Sequence, residues 1–399
     1  MKLIAWAMML CSCLSIFSFG EMSGEKVQLN QASVYQGLPL AYSETLVEQE
    51  MEQIQKEKQE KENKQNARIQ KYIEQMTLEE KISQLMILTN PKDITVANIQ
   101  EFQPGGVILF SVDFNGKTVE QVRGKVDQLQ EVSNYPMLVC VDEEGGSVSR
   151  ISGLVNAGIP AFYGARQLGN EKNWKLVKEQ TLQKVALLRE LGINVNFDPV
   201  ADVTTSESSY MYSRSAAGDV KTVSKYVKTV VSVMKKENCI SCVKHFPGYG
   251  ENGNTHEVYI KDTRERMQYE DIDFKPFQTG IKAGADMVMV SHIVMQSVDD
   301  KNPASLSKSV HDILRKDLAF DSVIISDDLN MRAVLDKMTL AKASEKALEA
   351  GNDMIFSADF QASMRGIKKG IRKGRITEEQ IDQAVYRVLK MKMEHELLK

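Results

Sequence analysis

Ser322-Val323-Ile324-Ile325-Ser326-Asp327-Asp328-Leu329-Asn330 is the stretch whose reading decides the fold. Val323–Ser326 reads as a strand, and its β-branched residues Val323 to Ile325 are the kind that fill a strand buried on both faces, as parallel strands under covering helices are. Two carboxylates follow immediately, at the carboxyl end of that strand, so at least one of them faces whatever cavity the strand ends surround. In barrel and open-sheet α/β enzymes alike, this end of the sheet gathers the chemistry.

Outward from this unit the pattern repeats. Further short apolar runs predict strands at Leu85–Leu88, Gly106–Phe110, Met137–Val141, Val195–Asp198, Cys242–His245, Met287–Val290 and Met354–Phe356. Between them lie helix-period segments such as Val119–Val132, Lys175–Leu191 and Val220–Lys236. Asp142, Asp198, Lys244-His245, Ser291-His292 and Asp327 all fall at or just past a strand end. A doubly wound open sheet would normally carry a glycine-rich phosphate loop, and neither GxGxxG nor a Walker sequence is present. The expected fold is an α/β (β/α)8 TIM barrel, a single catalytic domain over residues 67–399.

The 399 residues accommodate such a barrel with short additions, and a formal net charge of −4 gives no electrostatic reason to expect nucleic acid as a partner. Residues 1–20 differ from the rest: Lys2 precedes an apolar run from Leu3 to Phe19, ending in Ser18-Phe19-Gly20. The run reads as an export signal, with an uncleaved anchor as the alternative and Leu10-Cys11-Ser12-Cys13 as a loose lipobox. Any membrane association would come through this segment, and the expected location is extracellular or on the outer face of the membrane.

Residues 21–66 form a polar spacer, dominated by Glu, Lys and Gln from 44 onward, too poor in apolar side chains to build a core. It reads as a solvated helix or a disordered linker. Folding proper starts near Ile69, with Thr77-Leu78-Glu79-Glu80 as a capping box ahead of an amphipathic run. Without Cys11 and Cys13 the chain keeps Cys140, Cys239 and Cys242, an odd number in apolar surroundings, so they read as buried thiols and not as a disulfide or zinc framework.

The chain has five histidines. His245 and His256 flank a glycine-rich loop, Pro247-Gly248-Tyr249-Gly250-Glu251-Asn252-Gly253-Asn254, free enough in backbone to fold over a substrate. Asp327 is the nucleophile candidate, and Asp328 reads as a helix N-cap. Asp142-Glu143-Glu144-Gly145-Gly146 with Arg150 offers acceptors and a bidentate donor suited to sugar hydroxyls and an acetamido carbonyl, or, more plainly, a tight acidic turn closed by an ion pair.

Together, Asp142-Glu143-Glu144-Gly145-Gly146, Lys244-His245-Phe246-Pro247-Gly248 and Ser326-Asp327-Asp328-Leu329, in this order, resemble glycoside hydrolase family 3, and within it the β-N-acetylglucosaminidase branch. The resemblance spans roughly residues 69 to 395. It implies a retaining hydrolase releasing terminal β-linked N-acetylglucosamine from glycans such as cell-wall fragments, with no cofactor and no metal. It makes Asp327 the nucleophile and His256 the general acid/base, and puts Asp142, Arg150, Arg214, Lys244 and His245 on the sugar. Arg214 matches through Tyr212-Ser213-Arg214-Ser215.

One part of the pattern differs. The family writes Asp-Ser-His where this chain has Asn254-Thr255-His256, and Tyr249 stands where a histidine is usual. A neutral Asn254 can orient the imidazole but does not stabilise imidazolium as an anion does. The expectation is a weaker acid/base, improved by Asn254→Asp, unless Glu251 or Glu257 supplies the charge. Three other readings stay open: a sugar-binding homologue without catalysis, a metal-dependent hydrolase using His245, His256 and His292, and a Schiff-base enzyme using Lys244.

Overall fold

The computed structural model describes residues 40–89, 94–156, 158 and 161–398. The expected signal or anchor at residues 1–20 lies outside the described residues. The chain divides into two compact units between Glu62 and Asn63. In the first, a helix begins at Leu40, and its residues 51–62 are all exposed, as a Glu/Lys/Gln sequence without an apolar face dictates. Its side chains pair along the helix, Gln53 with Glu57 for example. In the second unit the sequence turns apolar, and Ile69 and Ile73 are buried.

Eight parallel strands make the second unit a barrel: β1 (Met86–Thr89), β2 (Gly106–Leu109), β3 (Leu138–Val141), β4 (Val195–Asn196), β5 (Ile240–Phe246), β6 (Met287–Val290), β7 (Val323–Ser326) and β8 (Ile355–Ser357). Each pairs with its neighbours in sequence, and β8 returns to β1, Met86 opposite Ile355. The seam between β7 and β8 is narrow. It is closed by an Ile325–Met354 bridge, with Ser326 N–H donating to the Met354 carbonyl at 3.1 Å and Met354 N–H to that of Ile324 at 3.1 Å.

The strands lie within two residues of their predicted limits at each end, β4 ending two residues early, at Asn196. Beyond Asn196 the backbone stays bonded to β5, Cys242 N–H donating to the Asp198 carbonyl and Lys244 N–H to that of Pro199, each at 3.1 Å, while toward β3 the Asn196 side chain takes over, receiving Glu143 N–H at 2.9 Å and donating to the Glu143 carbonyl at 3.0 Å. Strand residues of β1 to β8 are buried throughout because helices cover the outside and side chains fill the inside.

The helices start where the sequence supplies caps. Thr77 and Glu80 form the reciprocal box, and Asp219, Thr339 and Asp359 cap helices that begin at Val220, Leu340 and Phe360. Gly351, at φ 116°, ends the helix before β8 in a conformation that a side chain would oppose. Cys140, Cys239 and Cys242 are free and buried. Asp328 caps no helix: its Oδ1 receives both the backbone N–H of Asn330 and its amide, closing a turn, and the next helix starts after Met331.

Lys392, on the last helix (Glu378–Glu394), is fully buried and donates to Gln84 Oε1 at 2.9 Å. Burial pushes its pKa down to about 7, with Cys140 pulling the other way. Between that value and the ordinary lysine range, the unfolded chain holds a proton that the folded chain has released, so stability rises with pH across this window. Below about 7 the full cost of the buried charge is present. Lys392→Met should therefore stabilise the protein by roughly 1–3 kcal/mol at pH 6 and by less at pH 10. Urea unfolding at both pH values checks this, and an equal effect at both would contradict it.

Candidate active site

The carboxyl ends of the strands surround a cavity of about 150 Å³. Asp142, Arg150, Arg214, Lys244, His245, His256 and Asp327 all line it, together with Tyr210, Tyr249, Met289, Asp328 and Phe356. Asn254 is not among the lining residues and is bonded to His256, which is.

Strand β3 delivers Asp142 and strand β5 delivers Lys244, whose Nζ donates to Asp142 Oδ1 at 2.6 Å and lies 2.7 Å from Glu144 Oε1. Arg214 grips the same Glu144 with both arms, Nε to Oε2 at 2.9 Å and Nη2 to Oε1 at 2.7 Å. Burial works against the charge on each of these three side chains, and is outweighed by Arg214 and Lys244 for Glu144, by Glu144 for Arg214, and by Asp142 and then Glu144 for Lys244. The Glu144 carboxyl is held well below the usual range, and Lys244 and Arg214 are held above theirs. Arg150 stands more loosely, 3.9 Å from Asp142 Oδ2, and its Nε is buried without a partner among the described residues.

Behind this wall Lys184 spends its three donors on the carbonyls of Glu143 and Glu144, each at 3.2 Å, and on Asp198 Oδ2 at 3.0 Å. Asp198, one of the strand-end acids, therefore braces the site from behind.

Lys244 and His245, adjacent in β5, both line the cavity, and the peptide bond joining them is cis. His245 Nδ1 lies 2.8 Å from Asp202 Oδ2, and its Nε2 receives Arg214 Nη2 at 3.2 Å. Arginine only donates, so Nε2 accepts and the Nδ1–H bonds to Asp202. Asp202 also receives the Tyr249 N–H at 2.7 Å. Neither Glu144 nor Asp202 was assigned a role from the sequence. Glu144 stands inside a quoted motif, but Asp202 has no signal beyond being a carboxylate shortly after β4.

Asp327 directly follows β7, and its Oδ1 receives the Asp328 N–H at 2.8 Å. Burial raises its pKa, but His292, His245, His256 and the Asp328 N–H lower it by more, so the carboxyl stays ionised. Burial pushes His292 down, toward the neutral ring. That ring lies fully buried between the Ser305 hydroxyl at 2.6 Å and the Asp328 carbonyl at 2.9 Å.

The loop after β5 carries His256 to the cavity. Its ends are clamped: Arg264 binds Asp262 and Asp273 and donates to the Gly248 carbonyl, while Glu251 takes four hydrogen bonds from Thr204, Thr205 and Ser206. Gly248, at φ 114°, admits no side chain, since a Cβ would lie 2.2 Å from Asp273 Oδ1. His256 is exposed at the loop's far end, with Nδ1 2.8 Å from Asn254 Oδ1 and its ring centroid 5.9 Å from that of Tyr210.

Among the described residues no three His, Cys, Asp or Glu side chains form a metal site. His245 and His292 have their ring nitrogens occupied as above. Lys244 is clasped by two carboxylates that keep it protonated, which opposes Schiff-base chemistry.

A carboxylate and an imidazole sharing one pocket, beside charged groups placed for hydroxyls, is the equipment of a glycoside hydrolase. The family model described as "Glycosyl hydrolase family 3 N terminal domain" matches residues 77–391. The chain belongs to that family. It is 28% identical over 330 residues to the Mycobacterium tuberculosis β-hexosaminidase LpqI, covering 78% of this chain and 82% of that one. To a β-hexosaminidase of Chromobacterium violaceum it is 32% identical over 262 residues, covering 63% and 71%.

Among solved structures, a family 3 β-N-acetylglucosaminidase of Paenibacillus sp. aligns with a TM-score of 0.76 at 30% identity, covering 81% of this chain but only 63% of the longer relative. The M. tuberculosis LpqI structure aligns with a TM-score of 0.72 at 26% identity, covering 79% and 94%.

Glu144→Gln leaves Arg214 and Lys244 as buried cations short of one counter-charge. It should destabilise the protein by about 3 kcal/mol, read as a lower urea midpoint. A midpoint equal to that of the parent would show that the network is not the brace described.

Proposed function

We propose that this chain is a retaining β-N-acetylhexosaminidase that removes terminal β-linked N-acetylglucosamine. The observation that carries the reading is the joint presence of Asp327 and His256 in one small cavity walled by Asp142, Arg150, Arg214, Lys244 and His245. Its relatives named as β-hexosaminidases support the sugar.

In the first step Asp327 attacks the anomeric carbon while His256 gives its Nε2 proton to the departing oxygen. Ionised Asp327 is ready as a nucleophile without a base of its own. In the second step His256 takes a proton from water, whose oxygen bonds to the anomeric carbon as the bond to Asp327 breaks. Lys244, Arg150, Arg214 and Asp142 hold the ring hydroxyls and the acetamido group meanwhile. The ion pairs that fix Lys244, Arg214 and Asp142 are already formed, so these three need little reorganisation at the moment of reaction.

The apolar stretch from Leu3 to Phe19 supports export and action on cell-wall fragments outside the membrane. Fractionation of expressing cells tests the location, and activity confined to the cytoplasm would argue against it.

The chemistry is tested on aryl β-glycosides. The N-acetylglucosaminide should be cleaved and the glucoside should not, with the β-anomer as first product by NMR. Asp327→Asn should lower kcat on the order of 10³-fold or more. An α-anomer first product, or a variant as fast as the parent, would overturn the mechanism.

A further inference from the structure

We infer that Glu257 is a positioning residue for the acid/base, acting on His256 through Asn254. The inference rests on the function proposed above and concerns how that site is set.

His256 Nδ1 is taken up by Asn254, so Nε2 is the ring nitrogen left for proton transfer. Which protonation state the neutral ring adopts depends on how the Asn254 amide is turned. With the oxygen toward the ring, Nδ1 keeps its proton, and Nε2 is bare and able to take one from water. With the NH2 toward the ring, Nδ1 must accept, the proton moves to Nε2, and the ring has lost its base. An aspartate at this position could only accept, and would fix the ring by itself. An asparagine needs something to hold its amide the right way round.

The structure supplies that hold. Asn254 Nδ2 donates to Glu257 Oε1 at 3.2 Å, and an ionised carboxylate can only accept, so it draws the nitrogen outward and turns the oxygen toward His256. The His256 backbone N–H, donating to the same Asn254 Oδ1 at 3.0 Å, favours the same orientation. The Glu257 N–H closes the turn on the Asn254 carbonyl at 3.1 Å.

Glu257 also sets an anion behind the amide, which strengthens Oδ1 as an acceptor for the imidazolium formed during turnover. Glu251, the other acid on this loop, is committed to Thr204, Thr205 and Ser206. The remaining groups facing His256 are Asp327 and His292 in the site and the Tyr210 ring. None of these holds the Asn254 amide.

The arrangement changes what Asn254→Asp should do. That substitution removes the donor to Glu257 and sets two carboxylates side by side, so its gain should appear fully only when Glu257→Gln is added.

The full-length protein and its Glu257→Ala, Glu257→Gln, Asn254→Asp and Asn254→Asp/Glu257→Gln variants would be compared on an N-acetylglucosamine disaccharide and on an aryl glycoside with a good leaving group. Imidazole 15N spectra would be recorded in parallel. Glu257→Ala should slow disaccharide hydrolysis roughly tenfold, slow formation of the aryl-derived intermediate far less, and add a second neutral tautomer to the His256 signals. Glu257→Gln, which keeps an acceptor, should retain the single tautomer and lose less activity. The double variant should exceed Asn254→Asp alone.

If Glu257→Ala keeps both the parent's leaving-group dependence and its His256 spectrum, the inference is overturned. An Asp327→Asn variant that still releases aryl sugar would instead sink the functional reading, while the 15N spectra would still report on Glu257.

Discussion

Glu144 is the pivot of this molecule. Its carboxylate is buried between Arg214 and Lys244, and both of these cations are paired to it. Burying one ion is expensive, and burying three is tolerable only when each is paired and its remaining donors are satisfied. Lys244 meets this condition by reaching on to Asp142, and Arg214 by reaching on to His245. Lys184 does the same from behind, tying the backbone of Glu143 and Glu144 to Asp198. The ends of β3, β4 and β5 are thereby fixed to one another by charge as well as by backbone hydrogen bonds.

The His256 side of the cavity is built on a different principle. His256 is exposed, and it is carried by a loop whose stiffness comes from its roots: the Arg264 clamp at one end, the Glu251 bonds in the middle, and Thr255 buried under the segment that follows Asp327. The cavity thus joins a carboxylate fixed on the barrel wall, Asp327, to an imidazole on a braced arm, His256, which is held by a neighbour from its own loop.

Much of the barrel was legible in the sequence because each strand is a short apolar run flanked by helix-period segments, and the limits of Met287–Val290 and Val323–Ser326 are those expected from it. Strand β4 was less legible, since beyond Asn196 its link to β3 passes to a side chain, which no periodicity announces. Strand-end position also picked out the polar residues, but it says nothing about direction: Asp198 and His292 satisfy it as well as Asp327, yet pair within the core. Glu144 and Asp202 act through partners remote in sequence, Arg214 and His245, and so left no local mark. Asp328 was read as a cap by composition, whereas an Asn two residues later claims its oxygen for a turn.

The three described thiols carry a chemical consequence of their own. Burial pushes Cys239 up to about 12, and lifts Cys140 and Cys242 well above the ordinary range too, so none offers a thiolate at neutral pH. Electrophiles that meet the folded barrel therefore find no cysteine thiolate among the described residues. These cysteines thus behave as plain hydrocarbon-like filling, and the barrel needs no reducing partner to keep them so.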